Sequence, residues 1–398
     1  MATSPAPRMK ASELLPLIAL TLSAFLLNTS EFVPIGLLTD IAGAFSLSES
    51  GAGLMISIYA WAVALLSLPL MLAASRISPK ALIVSVLAVF CAGQVASALA
   101  PTFELLVASR LVVAAAHAVF WSVASPFAVR VAAPERSSLA MSMIVTGTSV
   151  AMIFGLPLGR ALGLALGWRM TFVCVGATAA VALLGLIAFF PRLEAGAPFT
   201  LARLPELARS RALVGLYLAT ILFATGYYTG YSYIEPFLQQ VAAMPDALIT
   251  VALTVFGVAG LVGSWFFARL FDGHRRAFLT ATMVGVAAAL LLLSPLAGMA
   301  AGPFAVCALW GVSATAFNVA AQAEIIRITS EEASPVAMSI FSGLFNVGIG
   351  TGSIVGGIVC DAVGVGAVGI VGGVVATAGA LYCIARLGGL LEGARAGR

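Results

Sequence analysis

Charge is what this chain lacks. Asp, Glu, Lys and Arg make up 9% of its 398 residues, whereas a soluble protein of ordinary composition carries about 25%. A surface that poor in charge cannot face water all round, so the solvent of most of the chain is lipid. Histidine occurs twice, as His117 and His274. Two histidines and no clustered carboxylates leave no metal-ligand set and no nucleophile with its base, which argues against an enzyme. The five cysteines (Cys91, Cys174, Cys307, Cys360 and Cys383) all lie in apolar runs without paired spacing, so a disulfide framework is excluded and they read as small core side chains. No Gly-rich run is followed by Lys-Ser or Lys-Thr, so no ATP-binding loop is present. The apolar stretch after Leu14 is too long for a signal h-region and no small-residue cleavage site follows it. No cofactor, no metal and no nucleic-acid partner are expected.

What the chain has is apolar length. Hydrophobic residues make up 61%, and the mean hydropathy is +1.10. The apolar runs are continuous rather than alternating and about 20 residues long, the length at which a helix spans a bilayer. In lipid every backbone amide must be satisfied within the segment, which favours helices. The expected class is an all-α membrane protein with twelve transmembrane helices in two pseudo-symmetric six-helix bundles. The predicted spans are 14–38, 51–74, 80–100, 102–128, 137–163, 169–190, 212–239, 247–271, 276–297, 301–328, 335–360 and 364–386. Residues 1–190 form the first bundle and 212–398 the second. The one long polar stretch, 191–211, joins them as a linker.

The duplication is visible in the residues. Ala140-Met141-Ser142 recurs as Ala337-Met338-Ser339, and at the same offset Arg130 falls on Arg327, Glu135 on Glu332, Gly155 on Gly352 and Gly159 on Gly356. Two copied apolar halves can rock about a central site, which is the architecture of a carrier. With the N-terminus in the cytoplasm, all Lys and Arg fall in or beside cytoplasmic segments except Arg110, within a span, and Arg160 and Arg169, assigned to one outer loop. That asymmetry predicts both termini inside.

Polar residues inside the spans are the candidates for mechanism. Glu31 lies in an otherwise apolar first helix, where a charged, unpaired carboxylate costs about 2.5–3.5 kcal/mol on insertion scales. It is a candidate proton carrier; the alternative is a hydrated residue near the helix end. Glu235 lies in the corresponding part of the seventh helix, and each is followed by a proline (Pro34, Pro236) that frees a backbone carbonyl and opens the helix locally. In the fourth helix Arg110, Ala114, His117 and Trp121 share one face. A histidine ordinarily titrates near neutral pH, which makes His117 a second proton candidate; the alternative is a neutral core histidine. Arg110 either pairs with a carboxylate or holds a helix contact. His274, in a basic loop, reads as solvated. Tyr227 and Tyr231 on the seventh helix, Asn318 and Gln322 on the tenth, Asn346 on the eleventh, and Tyr59, Asn28 and Trp121 supply rings and amides suited to a polyhydroxy ligand. Each of these alone is equally at home as an interface anchor or interhelical glue.

The six-plus-six design resembles the major facilitator superfamily. Arg110 resembles its helix-four arginine, with Ala114 in place of the usual glycine. Gly147, Gly155, Pro157 and Gly159 resemble the fifth-helix motif of proton antiporters, and Gly167-Trp168-Arg169 with Phe172 resembles the twelve-span drug/proton branch. The ordered set Asn28 to Leu38, Ile58 to Leu65, Ala116 to Ser122 and Tyr231 to Phe237 resembles the SotB-type sugar efflux transporters across nearly the whole chain. The resemblance implies that the small residues of helix five seal the two bundles. In the loop between helices two and three, Ser75 to Lys80 keeps basic residues but lacks the family's acid. The copy in the second half, including Arg269 and Asp272, is the better candidate for a gate.

The expected function is proton-coupled export of small sugars or related polyols. The expected setting is a bacterial inner membrane, with the protein a multi-pass monomer whose partners are the sugar, protons and lipid. The rival within transport is multidrug or nucleoside efflux on the same scaffold, and outside it a sensor that moves no substrate.

Overall fold

A backbone buried in lipid has few ways to satisfy its amides, and among the described residues every regular element takes the helical one. The computed structural model describes residues 10–74, 77–133, 136–194, 204–330 and 333–391. Residues 195–203 of the linker, with Arg8, Ser75, Arg76, Glu135, Glu332, Arg395 and Arg398, lie outside these residues. Among the described residues twelve helical segments are long and apolar enough to cross a membrane: Ala11–Gly36, Glu49–Ala74, Pro79–Leu99, Phe103–Val131, Leu139–Leu166, Trp168–Phe189, Arg211–Gln240, Asp246–Leu270, Arg275–Leu293, Gly302–Ile328, Val336–Ala362 and Val365–Leu391. They are referred to below as the first to twelfth spans. Leu65, Leu99, Val181, Leu184, Ile358 and Val363 are among the strongly exposed apolar side chains, the surface expected of a protein solvated by lipid.

The first six spans pack mainly on one another, as do the last six. The two bundles meet along two seams, the second span against the eleventh and the fifth against the eighth. Along the eleventh span a Cβ at Gly343 would meet nothing, one at Gly350 would run into Trp61, and one at Gly357 would sit 3.0 Å from Ser50 Oγ. The bundles therefore close towards the end opposite the linker, called here the far end. A hydrogen bond from Gln240 Nε2 to Glu49 Oε1 (2.7 Å) crosses the seam there.

Three interruptions shape that end. The first span stops at Gly36, and a short helix, Leu38–Ala44, follows. The seventh breaks after Tyr231 and resumes over Ile234–Gln240. Pro236 explains the break, because it has no N–H to bond the Ser232 carbonyl, and in the first turn of a new helix that loss costs nothing. The fifth span widens to π geometry over Ala151–Gly155, where Pro157 leaves the Ile153 carbonyl without its helical donor. The eighth span crosses at that point, and a Cβ on Gly257 would lie 2.5 Å from the freed oxygen.

The glycines of the fifth span sit elsewhere than the family resemblance implies. Those at 147, 155 and 159 face Thr21, Thr29 and Val33 of the first span, inside the first bundle. Their repeats at 348, 352 and 356 face the seventh span inside the second bundle. Helices that exchange side-chain volume for backbone proximity gain dispersion contact where lipid offers no hydrophobic drive. The glycine stripes hold each bundle together, and the seam is made by other residues.

This contrast is testable. Gly147→Ala sets a Cβ 2.5 Å from the Thr21 carbonyl oxygen and should cost about 1–3 kcal/mol as overpacking. It should lower the thermal midpoint of the purified protein, whereas Gly343→Ala, with open space around it, should leave that midpoint unchanged.

Candidate functional site

The centre of the first bundle is built around a fully buried arginine. Arg110 is 2% exposed, and an unsatisfied guanidinium at such a position would be very costly. Pro34 supplies part of the answer. It has no N–H, so the carbonyl of Ser30, four residues earlier, is released from the helix. Arg110 Nη2 donates to that oxygen at 2.8 Å, and Nη1 donates to Ser30 Oγ at 2.8 Å. Gln94 Nε2 donates to the same hydroxyl oxygen at 2.6 Å. The guanidinium also lies over the rings of Tyr59 (4.7 Å) and Phe172 (5.6 Å), a favourable cation–π arrangement. Of the two sequence alternatives for Arg110, the helix contact is the one it makes.

Beside this anchor Glu31 Oε2 lies 3.7 Å from His117 Nε2, with both side chains largely buried. The His117 ring meets Tyr59 edge-on at 5.8 Å and Trp121 at 6.1 Å. His117 Nδ1 and the Tyr59 hydroxyl are buried without a protein partner. Glu31, Tyr59 and Arg110 line a small void together with Met55, Tyr228 and Ile349, on the order of one water molecule in size. Tyr228 and Ile349 belong to the second bundle, so the void lies on the seam. Five of the sequence candidates (Glu31, Tyr59, Arg110, His117 and Trp121) are thus brought to one place. Tyr228, Ser30 and Gln94 join them without having been assigned a role. Ser30 was detectable as the residue four before Pro34, and Gln94 as a lone amide in an apolar span.

The other candidates lie elsewhere. Asn28 donates to the Ala24 carbonyl of its own helix (3.2 Å). Tyr227 and Tyr231 are buried in an aromatic cluster with Phe256 and Trp310 inside the second bundle. Asn318 and Gln322 are half-buried and bonded to each other (2.5 Å). Asn346 donates to Ser342 O (3.0 Å) and leaves its own oxygen without a partner. Near the linker end, Asp272 pairs with Arg327, Arg275 lies 3.7 Å from the buried Glu324, and Arg269 stacks over Trp265 at 5.5 Å. These contacts are within the second bundle.

Glu235 does not sit with Glu31. It lies at the far end, where Arg160 Nη1 donates to its Oε1 (2.9 Å) and Thr39 donates to its Oε2 through both backbone N–H (3.1 Å) and hydroxyl (2.8 Å). Arg160 itself corrects the charge count. It belongs to the helix Leu156–Leu166 rather than to an outer loop, and it is fully buried. It also donates to the Gly36 carbonyl (2.7 Å) and to Asp246 Oδ1 (2.8 Å). Nearby Asp40, in the short helix after the first span, has its carboxyl raised above the ordinary range by burial. Arg160 opposes that shift and Asp246 adds to it. Among the described residues no group of three or more His, Cys, Asp or Glu side chains is placed to hold a metal ion.

Comparison with known proteins adds the following. The family profile described as Major Facilitator Superfamily matches residues 20–315 and 216–393. Two solved structures of a bacterial homologue of the human lysosomal transporter Spinster are similar in fold. The inward-facing, unoccupied form has a TM-score of 0.76 at 18% identity, covering 98% of this chain and 98% of that one. The inward-facing, occupied form has a TM-score of 0.70 at 20% identity, covering 98% and 94%.

The Arg110 anchor makes a definite prediction. Ser30→Ala deprives two buried donors of their shared acceptor and should cost about 1–3 kcal/mol, read as a fall in thermal midpoint. Ser57→Ala removes a buried hydroxyl that has no partner and should leave the midpoint unchanged or raise it.

Proposed function

The chain belongs to the major facilitator superfamily, and from that premise we propose that this membrane transporter is a proton-coupled exporter of small sugars or related polyols. The observation that carries the proposal is the meeting of Glu31, His117 and Arg110 with Tyr228 of the opposite bundle around one small void. A proton that neutralises the Glu31–His117 pair changes the charge beside a fixed guanidinium at the seam between the bundles. A change of charge there biases the balance between the two states of a rocking carrier only if it interacts unequally with them, and a site on the seam meets that condition. Arg110, held by Ser30 and stacked on Tyr59, keeps the positive charge in place while the carboxylate gains and loses its proton.

The sugar reading rests on rings and hydrogen-bonding groups on the linker side of that void. Half-buried Trp121, Asn318 and Gln322 and the unpartnered oxygen of Asn346 offer stacking faces and amides for hydroxyl groups. With the linker end in the cytoplasm, as the Lys and Arg distribution predicts, closure at the far end leaves these groups on the cytoplasmic side, where an exporter loads. The expected setting remains a bacterial inner membrane and a monomer. The alternative, efflux of multiple drugs or nucleosides, draws support from the rings of Tyr228, Phe341 and Phe345, which approach one another in the second bundle.

In proteoliposomes, Glu31→Gln should abolish efflux driven by an imposed pH gradient; gradient-driven efflux at the unsubstituted rate would remove Glu31 as the carrier. Trp121→Ala and Asn346→Ala should each weaken sugar binding by about tenfold, the loss of one good contact, with the thermal midpoint little changed. A substrate panel in which apolar drugs compete and sugars do not would favour the alternative.

A further inference from the structure

We infer that Arg160 and its carboxylates form a latch that holds the far ends of the two bundles together and sets how much of the protein is closed there. Every acceptor of Glu235, a second-bundle carboxylate, is taken by a first-bundle donor. Arg160 occupies Oε1, and Thr39 occupies Oε2 with two bonds. Arg160 binds a second carboxylate of that bundle, Asp246, with its other terminal nitrogen. Both Arg160 and Glu235 are 1% exposed in their side chains.

The groups are brought together by the three helix interruptions. The end of the first span releases the Gly36 carbonyl that steadies Arg160. The short helix from Leu38 presents Thr39, the break after Tyr231 presents Glu235, and the helix that resumes after the π segment presents Arg160. If the far ends part, Glu235 loses all three of its donors and Arg160 keeps only Gly36. Charge-assisted bonds of this kind are strong while water is excluded, and they break together because they share one arginine and one carboxylate. The latch therefore acts on the balance between closed and open far ends, whatever the cargo; the inference does not rest on the sugar or proton assignment.

The test is amide hydrogen exchange on the intact, purified protein, without substrate. Glu235→Gln and Asp246→Asn each keep side-chain volume while weakening the hold on Arg160. At least one of them should raise exchange over residues 36–45 and 232–246 by about tenfold or more. The same variant should lower exchange in the linker-end halves of the second and eleventh spans, 65–74 and 336–346. This opposed change distinguishes a shift between two states from general loosening. If Glu235→Gln is not recovered folded, Asp246→Asn decides alone, since Asp246 is about half exposed (52%) and touches a single nitrogen of Arg160. Far-end exchange that stays unchanged, or that rises together with the linker end in every recovered variant, overturns the inference.

Discussion

A guanidinium buried among membrane helices needs acceptors, and a regular helix has none to spare, because each carbonyl is already bonded four residues on. This chain meets that constraint twice on the same helix. Pro34 frees the Ser30 carbonyl for Arg110, and the end of the first span leaves the Gly36 carbonyl for Arg160. The final two turns of the first span therefore anchor both buried arginines, one from the fourth span and one from the fifth. Glu31 is the residue immediately after the first anchor.

That arrangement ties two places that side-chain contacts alone would leave separate. The cluster of Glu31, His117 and Arg110 lies at mid-bundle on the seam, and the Arg160 group lies at the far end. Ser30, Glu31, Gly36 and Thr39 run consecutively through both. The first span thus carries one anchored carbonyl in the turn before Pro34 and another at its end, just before the helix breaks at Leu37.

The twelve spans were legible because apolar length is a local property, and their observed limits differ from the predicted ones mainly at the ends, as with the ninth (Arg275–Leu293 against 276–297). The proline effects were legible too, since a missing N–H frees a carbonyl at a fixed distance along the chain. Arg160 was not. A charge near the end of an apolar run, eight residues before Trp168, reads as an interfacial anchor, and its partners Glu235 and Asp246 are remote in sequence. Likewise, the glycine stripes declare close packing but not against which helix; only the fold shows that they bind the first and seventh spans inside each bundle.

The two halves descend from one pattern but divide the chemistry unequally. Glu31 and Glu235 each stand shortly before a proline, but Glu31 lies at mid-bundle and Glu235 at the far end. They differ also in what reaches them. Around Glu31 the neighbouring arginine donates its hydrogen bonds to Ser30 and stacks on aromatic rings, and the carboxylate lies 3.7 Å from a histidine. Around Glu235 an arginine and a threonine saturate both oxygens. Near the mid-membrane part of the seventh span the second bundle offers stacked rings instead, with Phe223 on Phe317 at 4.2 Å and Tyr227 against Trp310, groups that hold shape and do not titrate near neutral pH. The proposed proton site therefore draws its polar groups from the first bundle, and the second contributes a ring, Tyr228, beside them.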